Sequence, residues 1–237
     1  MATEPDKQFT LAVIIPCYNE VDNIETVLQR VQATGLADEI IIVDDGSDDG
    51  TREVLARIAD EGHAGLQVLL MERNQGKGAA LRRGFAAAGA DLLLVQDADL
   101  EYDPRDYPLL LQPLQEGIAP VVYGSRFLGG PRKAMYFWNM VANKSLTLLT
   151  NILYNAILSD MMTCYKLFRR ELLADMTLRA DGFDFEPEVT AKVLKRGIHI
   201  YEVPISYNGR EWAEGKKIRA NDSLPVLWTL LKYRFVD

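Results

Sequence analysis

The chain has 237 residues, 48% hydrophobic and 25% charged, with a formal charge of −8. That suits one globular domain with a sizeable core, excludes a disordered chain and argues against a nucleic-acid-coating protein. The charge is uneven: residues 1–120 carry 22 Asp+Glu against 9 Lys+Arg, a net of −13, and residues 121–237 carry 12 against 17, a net of +5.

In chain order, Leu11–Ile15 is a short apolar run ending at Pro16 and reads as a buried strand. Asp22–Val31 has helical spacing through Ile24, Val27, Leu28 and Val31. Glu39–Val43 is a second strand, stopped by Asp44-Asp45-Gly46-Ser47. A helix follows, with Ser47 or Asp48 as its candidate N-cap. Leu66–Met71 is a third strand, Gly76–Ala88 an Ala-rich helix, and Asp91–Gln96 a fourth strand ending in Asp97-Ala98-Asp99. Strands alternating with helices imply an α/β fold built on a central, mostly parallel sheet. Ligands of such sheets lie outside the carboxyl ends of the strands. The unusual residues fall there: Pro16–Glu20, Asp44–Ser47, Asn74–Gly78 and Asp97–Asp99.

The second half is less regular. Pro104–Glu116 reads as a helix shortened or kinked by Pro113, and Pro120–Tyr123 as a strand before Gly124-Ser125-Arg126. Phe137–Leu158 is interrupted by Lys144 and by Asn139, Asn143, Thr147, Asn151 and Asn155, which recur every fourth residue. That spacing implies a two-faced helix rather than a membrane span. Met161–Phe168 reads as a mixed strand, Glu186–Arg196 as a helix, Ile198–Val203 as a strand closed by Pro204, Gly209–Arg219 as a basic loop and Leu224–Phe235 as a final helix. No repeat or linker divides residues 1–237, so a single domain is expected. Only His63, His199, Cys17 and Cys164 could supply nitrogen or sulfur ligands, and they lack metal-pair spacing. The polar N-terminus carries no signal peptide and no segment reads as a membrane span. The expected location is the cytoplasm, with a peripheral seat on the inner membrane face left open.

Four segments invite chemistry. Two carboxylates two residues apart after an apolar strand, Asp97 and Asp99, can share a divalent cation, and Glu101 continues the alternation. A solvated turn is the plain alternative. Asn74-Gln75-Gly76-Lys77-Gly78 fails as a P-loop, with Met71 and Gly78 at the diagnostic positions, and fails as a dinucleotide fingerprint at Leu81. It remains a Gly-rich turn at a helix start, with one Lys. Asp160 either caps a turn or faces the site. Arg210-Glu211-Trp212-Ala213-Glu214-Gly215-Lys216-Lys217-Ile218-Arg219 is either a solvated charged loop or a clamp on a phosphate.

The ordered set resembles the inverting family 2 glycosyltransferases of the GT-A fold, nearest the dolichyl-phosphate mannose synthase and polyprenyl-phosphate glycosyltransferase branch. It runs from Val13–Glu20 through Ile42–Thr51, Asn74–Ala80, Gln96–Leu100, Gly124–Arg126 and Asp160–Lys166 to Glu202–Ile205. The resemblance implies a nucleotide-binding half over 9–100, and an acceptor half over 101–237 with a C-terminal basic loop and helix. It implies that Pro16, Tyr18, Glu20, Val43, Asp45, Lys77, Asp97, Ala98, Asp99 and Arg126 line the donor pocket, Asp45 meeting the base. Asp97, Asp99 and Glu101 would hold Mg²⁺ or Mn²⁺. Arg126, Arg210, Lys216 and Lys217 would meet phosphates. In the mannose synthases the late Arg precedes a Gly-x-Ser-Lys pattern, where this chain has Gly215-Lys216-Lys217. The transmembrane helices of many members are absent from the sequence.

The implied activity is transfer of a sugar from a UDP- or GDP-sugar to a polyprenyl phosphate. Asp99 and Arg126 would act on the departing diphosphate, and a phosphate acceptor, already ionised, needs no strong base. A hydroxyl acceptor would need one, for which Asp160 is the candidate. The same fold acting on a soluble or polysaccharide acceptor is the nearest rival. A sugar-phosphate nucleotidyltransferase is disfavoured by Pro16-Cys17-Tyr18-Asn19-Glu20 in place of a basic Gly-rich loop. A binding module without turnover is disfavoured by Asp97 and Asp99. The two-faced and final helices either pack on the domain or lie on a membrane surface.

Overall fold

The computed structural model describes residues 9–133, 136–210 and 223–236. A seven-stranded sheet is built from β1 (Leu11–Cys17), β2 (Glu39–Asp44), β3 (Leu66–Leu70), β4 (Leu92–Val95), β5 (Val121–Ser125), β6 (Lys166–Arg169) and β7 (Tyr201–Pro204). Its order is β3-β2-β1-β4-β6-β5-β7, and β6 alone runs antiparallel to its neighbours. The chain steps outward from β1 to β3, then returns to add β4 on the other side of β1. The carboxyl ends of β1 and β4 therefore form a switch point, where neighbouring loops part and leave a crevice.

The core lies on both faces of the sheet, which is why β1, β2 and β4 are apolar almost throughout. Leu11, Val13 and Ile15 meet α1 (Ile24–Ala33), α2 (Thr51–Asp60) and α4 (Tyr107–Gln115) on one face. Ala12 and Ile14 meet α3 (Lys77–Ala87) and α7 (Phe185–Lys195) on the other. Each such buried aliphatic side chain contributes about 1.5–3 kcal/mol. A short helix, α6 (Arg170–Ala174), which the sequence did not suggest, follows β6. A third cluster joins α7 to α5 (Phe137–Tyr154) and α8 (Ser223–Phe235) through Leu146, Tyr154, Met161, Val226, Leu230 and Tyr233.

Two local expectations change, and the polar stripe of α5 acquires a role. The N-cap of α2 is Gly50, because Ser47 instead accepts the Asn19 N–H at 2.9 Å and Asp48 pairs with the Asn19 amide. Of the mixed strand over Met161–Phe168 only Lys166 onward joins the sheet; the preceding residues are irregular. The middle of the polar stripe of α5, Thr147 and Asn151, turns inward. Thr147 is buried and accepts the Met161 N–H, while Asn151 holds both the N–H and the C=O of Leu158 at 2.8 Å. The stripe thus serves backbone groups of a loop with no secondary structure to satisfy them. The outer side of α5 shows Phe137, Trp138, Leu148 and Ile152 to solvent, and α8 shows Leu224, Trp228, Leu231 and Phe235. No helix among the described residues is long and apolar enough to cross a membrane.

Candidate active site

Loops from β1, β2, the start of α3 and β4 meet at the switch point. Asn19 adopts φ of +50°, and the backbone N–H groups of Asn19, Glu20 and Val21 donate to Ser47, Thr51 and Asp49 respectively. Most polar side chains after β2 are thus fasteners. Asp44 accepts the N–H groups of Gly46 and Ser47 and pairs with Arg52 at 3.3 Å. Asp45 accepts those of Gln75 and Gly76 at 2.7 and 2.8 Å. Burial raises the Asp45 carboxyl above its ordinary range against the pull of these amides. Asp45, expected to meet a base, is buried with an amide on each oxygen; its observed work is to hold the turn before α3.

That turn requires glycine. Gly76 has φ of +100°, and a Cβ there would stand 2.3 Å from the Asp181 carbonyl oxygen. A Cβ on Gly78 would stand 2.3 Å from the Ala180 carbonyl oxygen. The close approach carries Lys77 into the interior. Its ammonium lies 2.7 Å from Asp97 Oδ1, 3.3 Å from Glu186 Oε1 and 3.0 Å from Cys164 Sγ. Burial disfavours its charge, yet Asp97, Cys164 and Glu186 hold its pKa well above the ordinary lysine value. Burial likewise opposes the charge of Asp97, and Lys77 outweighs it, leaving that carboxyl below the usual range. Glu186 Oε2 is buried without a hydrogen-bond partner.

Asp99 has a different cation. Arg210 NH2 donates to its Oδ2 at 2.8 Å, and NH1 lies 3.2 Å from Glu20 Oε1. The Arg210 N–H donates to Glu101 Oε1 at 2.8 Å. The guanidinium therefore sits among three carboxylates drawn from the β1 and β4 loops. Burial, with Asp97 and Glu101 nearby, pushes Asp99 up to about 7. Asp99, crowded by Asp97 and Glu101, is the kind of carboxylate that a hard divalent cation such as Mg²⁺ or Mn²⁺ would relieve, and these three are the residues expected to hold one. Among the described residues no group of three or more His, Cys, Asp or Glu side chains is placed so as to hold a metal ion.

Arg126, just past β5, is buried against Asp160. Its Nε and NH2 donate to the two carboxylate oxygens at 2.7 and 2.8 Å, and its own N–H donates to Oδ2 at 3.0 Å. The Tyr207 ring lies 5.2 Å from the guanidinium carbon, and the Tyr207 hydroxyl donates to Glu101 Oε2 at 2.9 Å. Asp160, expected to face the site as a base or to cap a turn, has both oxygens engaged by Arg126 and no solvent exposure. A base needs an accessible lone pair, so the geometry makes it the orienting partner of Arg126 instead.

The remaining expected residues separate. Pro16 and Tyr18 are half-buried at the end of β1 and in the following loop. Val43 and Ala98, expected in the donor pocket, have side chains buried in the two core clusters. Lys216 and Lys217 lie outside the described residues. Sequence reasoning missed Glu186, Cys164 and Tyr207 as contacts of the site. They come from distant segments, and no local spacing marks them.

Comparison with known proteins follows the same geometry. Residues 12–177 match the family described as glycosyl transferase family 2. Glycosyltransferase AglJ of Haloferax volcanii is 33% identical over 84% of this chain and 63% of its own length, so the chain spans less than two thirds of that relative. Polyprenol monophosphomannose synthase of Mycolicibacterium smegmatis is 31% identical over 93% of this chain and 85% of its own. Among solved structures, glucosyl-3-phosphoglycerate synthase from Mycobacterium tuberculosis, in complex with Mn²⁺, uridine diphosphate and phosphoglyceric acid, superposes with a TM-score of 0.74 at 25% identity, over 97% of this chain and 80% of that one. The mostly parallel sheet with flanking helices is the GT-A architecture. The chain belongs to glycosyl transferase family 2.

Proposed function

We propose that this chain is a metal-dependent inverting glycosyltransferase that moves a sugar from a UDP- or GDP-sugar to a polyprenyl phosphate. One observation carries the reading: an acidic set, Asp97, Asp99 and Glu101, stands at the switch point with Arg126 beside it, separated by the Tyr207 ring. The acids suit a cation on a diphosphate, and the arginines Arg126 and Arg210 suit phosphate oxygens. A bound Mg²⁺ or Mn²⁺ would supply Lewis-acid neutralisation of the departing nucleoside diphosphate. Lys77 holds Asp97 in its charged form, and Glu20 with Asn23 steadies the β1 loop. Arg126, fixed by Asp160, presents a preorganised guanidinium with little reorganisation left for the reaction. A phosphate acceptor brings its own ionised nucleophile, which agrees with the engagement of Asp160.

The acceptor class is supported by the name of the Mycolicibacterium smegmatis relative, polyprenol monophosphomannose synthase, and by the apolar side chains that α5 and α8 turn to solvent. We infer a peripheral seat on the inner membrane face through those two helices. The structural neighbour bound to phosphoglyceric acid favours a second reading, a soluble phosphorylated acceptor. Transfer assays with UDP-, GDP- and dTDP-sugars, Mn²⁺ or Mg²⁺, and either undecaprenyl phosphate, dolichyl phosphate or phosphoglyceric acid separate the two. Turnover on a polyprenyl phosphate is expected. Turnover confined to the soluble acid overturns the lipid acceptor, and nucleotide-sugar binding without any turnover overturns the enzyme.

A further inference from the structure

We propose that Glu202 is a positioning residue for Arg126, acting through the peptide of Ser159 and Asp160. The proposal rests on the reading of Arg126 as the cation that meets phosphate. The segment between α5 and β6 has no secondary structure over residues 159–165 to satisfy its backbone, and it carries Asp160. Charged and polar side chains do the work that a sheet or helix would otherwise do. Glu202 Oε2 accepts the Ser159 N–H at 2.7 Å, and Oε1 accepts the Asp160 N–H at 3.0 Å. Lys166 Nζ donates to the carbonyls of Met161 and Thr163 from the other side. The Ser159 and Ser125 hydroxyls lie 2.6 Å apart, tying the segment to the end of β5 as well.

The sheet explains why Glu202 can reach. In the parallel pairing of β5 with β7, Glu202 stands opposite Tyr123, three residues before Arg126. One strand delivers the guanidinium, and its neighbour delivers the carboxylate that places the guanidinium's partner. Glu202 touches none of the donor-site acids through any of these bonds. Its effect passes to Arg126 through the placement of the Asp160 carboxylate, which holds two guanidinium nitrogens at once. Bidentate geometry is intolerant of small shifts, so a displaced Asp160 leaves Arg126 charged but misaimed. A carboxylate is required because two N–H donors converge on it. Glutamine offers one acceptor and turns its NH₂ toward the second donor.

The test is Glu202→Gln, with Glu202→Asp as a second variant should the first not fold, compared with Arg126→Ala and wild type. Acceptor and donor KM, kcat, Mn²⁺-dependent nucleotide binding, melting temperature and the ¹⁵N signal of the Arg126 Nε–H are measured on the full chain. Catalytic efficiency toward the acceptor is expected to fall about ten- to a hundredfold, with nucleotide affinity within twofold of wild type and the Nε–H signal broadened by faster exchange. Wild-type acceptor kinetics in a folded Glu202 variant, while Arg126→Ala is impaired, overturn the proposal alone. Parallel loss of nucleotide binding and melting temperature also overturns it, since that marks a general structural role. Wild-type kinetics in Arg126→Ala overturn the underlying reading of Arg126 instead.

Discussion

Lys77→Met tests a buried charge that pairs with two carboxylates of the site. The ammonium side chain is 13% exposed and has Asp97 Oδ1 at 2.7 Å and Glu186 Oε1 at 3.3 Å, with the Glu186 carboxyl 3% exposed. Methionine conserves length and volume, so packing changes little and the loss is electrostatic. Removing one partner of a buried pair leaves an uncompensated charge, at a cost of roughly 3–5 kcal/mol. At about 2–4 °C per kcal/mol for a chain of this size, that is a fall of roughly 6–20 °C in melting temperature. The pH dependence has a definite sign. In wild type, burial opposes the Asp97 charge but Lys77 outweighs it and depresses the carboxyl, so this group's stabilisation is present above its unfolded pKa and is lost as pH falls. In the variant, burial without the ammonium raises the same carboxyl, so the native state gains relative stability as it takes up a proton. The gap between wild type and variant must therefore narrow from pH 8 to pH 5. Melting curves by circular dichroism across that range are sufficient. A variant as stable as wild type at pH 8, or a gap that widens on acidification, refutes the argument.

Gly78→Ala forces a Cβ to within 2.3 Å of the Ala180 carbonyl oxygen, so α3 must shift, at about 1–3 kcal/mol by denaturant titration. An unchanged midpoint would contradict the packing described. Because burial and its neighbours Asp97 and Glu101 push Asp99 up to about 7, Mn²⁺ must compete with a proton below that pH. The rise in melting temperature on adding Mn²⁺ should be larger at pH 8 than at pH 6, and the reverse order would count against Asp99 as a ligand. Trp138→Glu with Trp228→Glu, at side chains 76% and 66% exposed, should abolish co-sedimentation with anionic liposomes at low salt while leaving the melting temperature within a few degrees. No binding by wild type under those conditions would sink the membrane seat.

The apolar runs of β1, β2 and β4 were legible because strands buried on both faces tolerate little else. The place of the site followed from the loops after them. Lys77 stood out as the one cation of a Gly-rich turn, and Arg126 entered through the family resemblance. What they touch was not legible: Glu186, Cys164 and Asp160 reach them from segments far along the chain, and only tertiary packing brings those together. The α5 stripe was legible only in part. Its period implied two faces without saying which face packs, and Thr147 and Asn151 turn inward to satisfy the Met161 and Leu158 backbone. Asp45 and Asp48 read as ligand-facing or capping residues and are fasteners between loops, since Asx side chains bind backbone N–H groups readily.

The seat of Arg210 has a kinetic consequence. Its guanidinium closes onto Glu20, 190 residues earlier, and onto Asp99, 111 residues earlier. Strand β4 also pairs with β6, so the sheet joins residues before 100 to residues after 165. Glu20 and Asp99 therefore lack the Arg210 guanidinium until nearly the whole chain is in hand, and such distant closures are slow steps. During synthesis the first-half pairs, Lys77 with Asp97 and Arg52 with Asp44, are available before the Arg210 contacts can form. The final assembly of the crevice is among the late events of folding, set by residues emerging after β7.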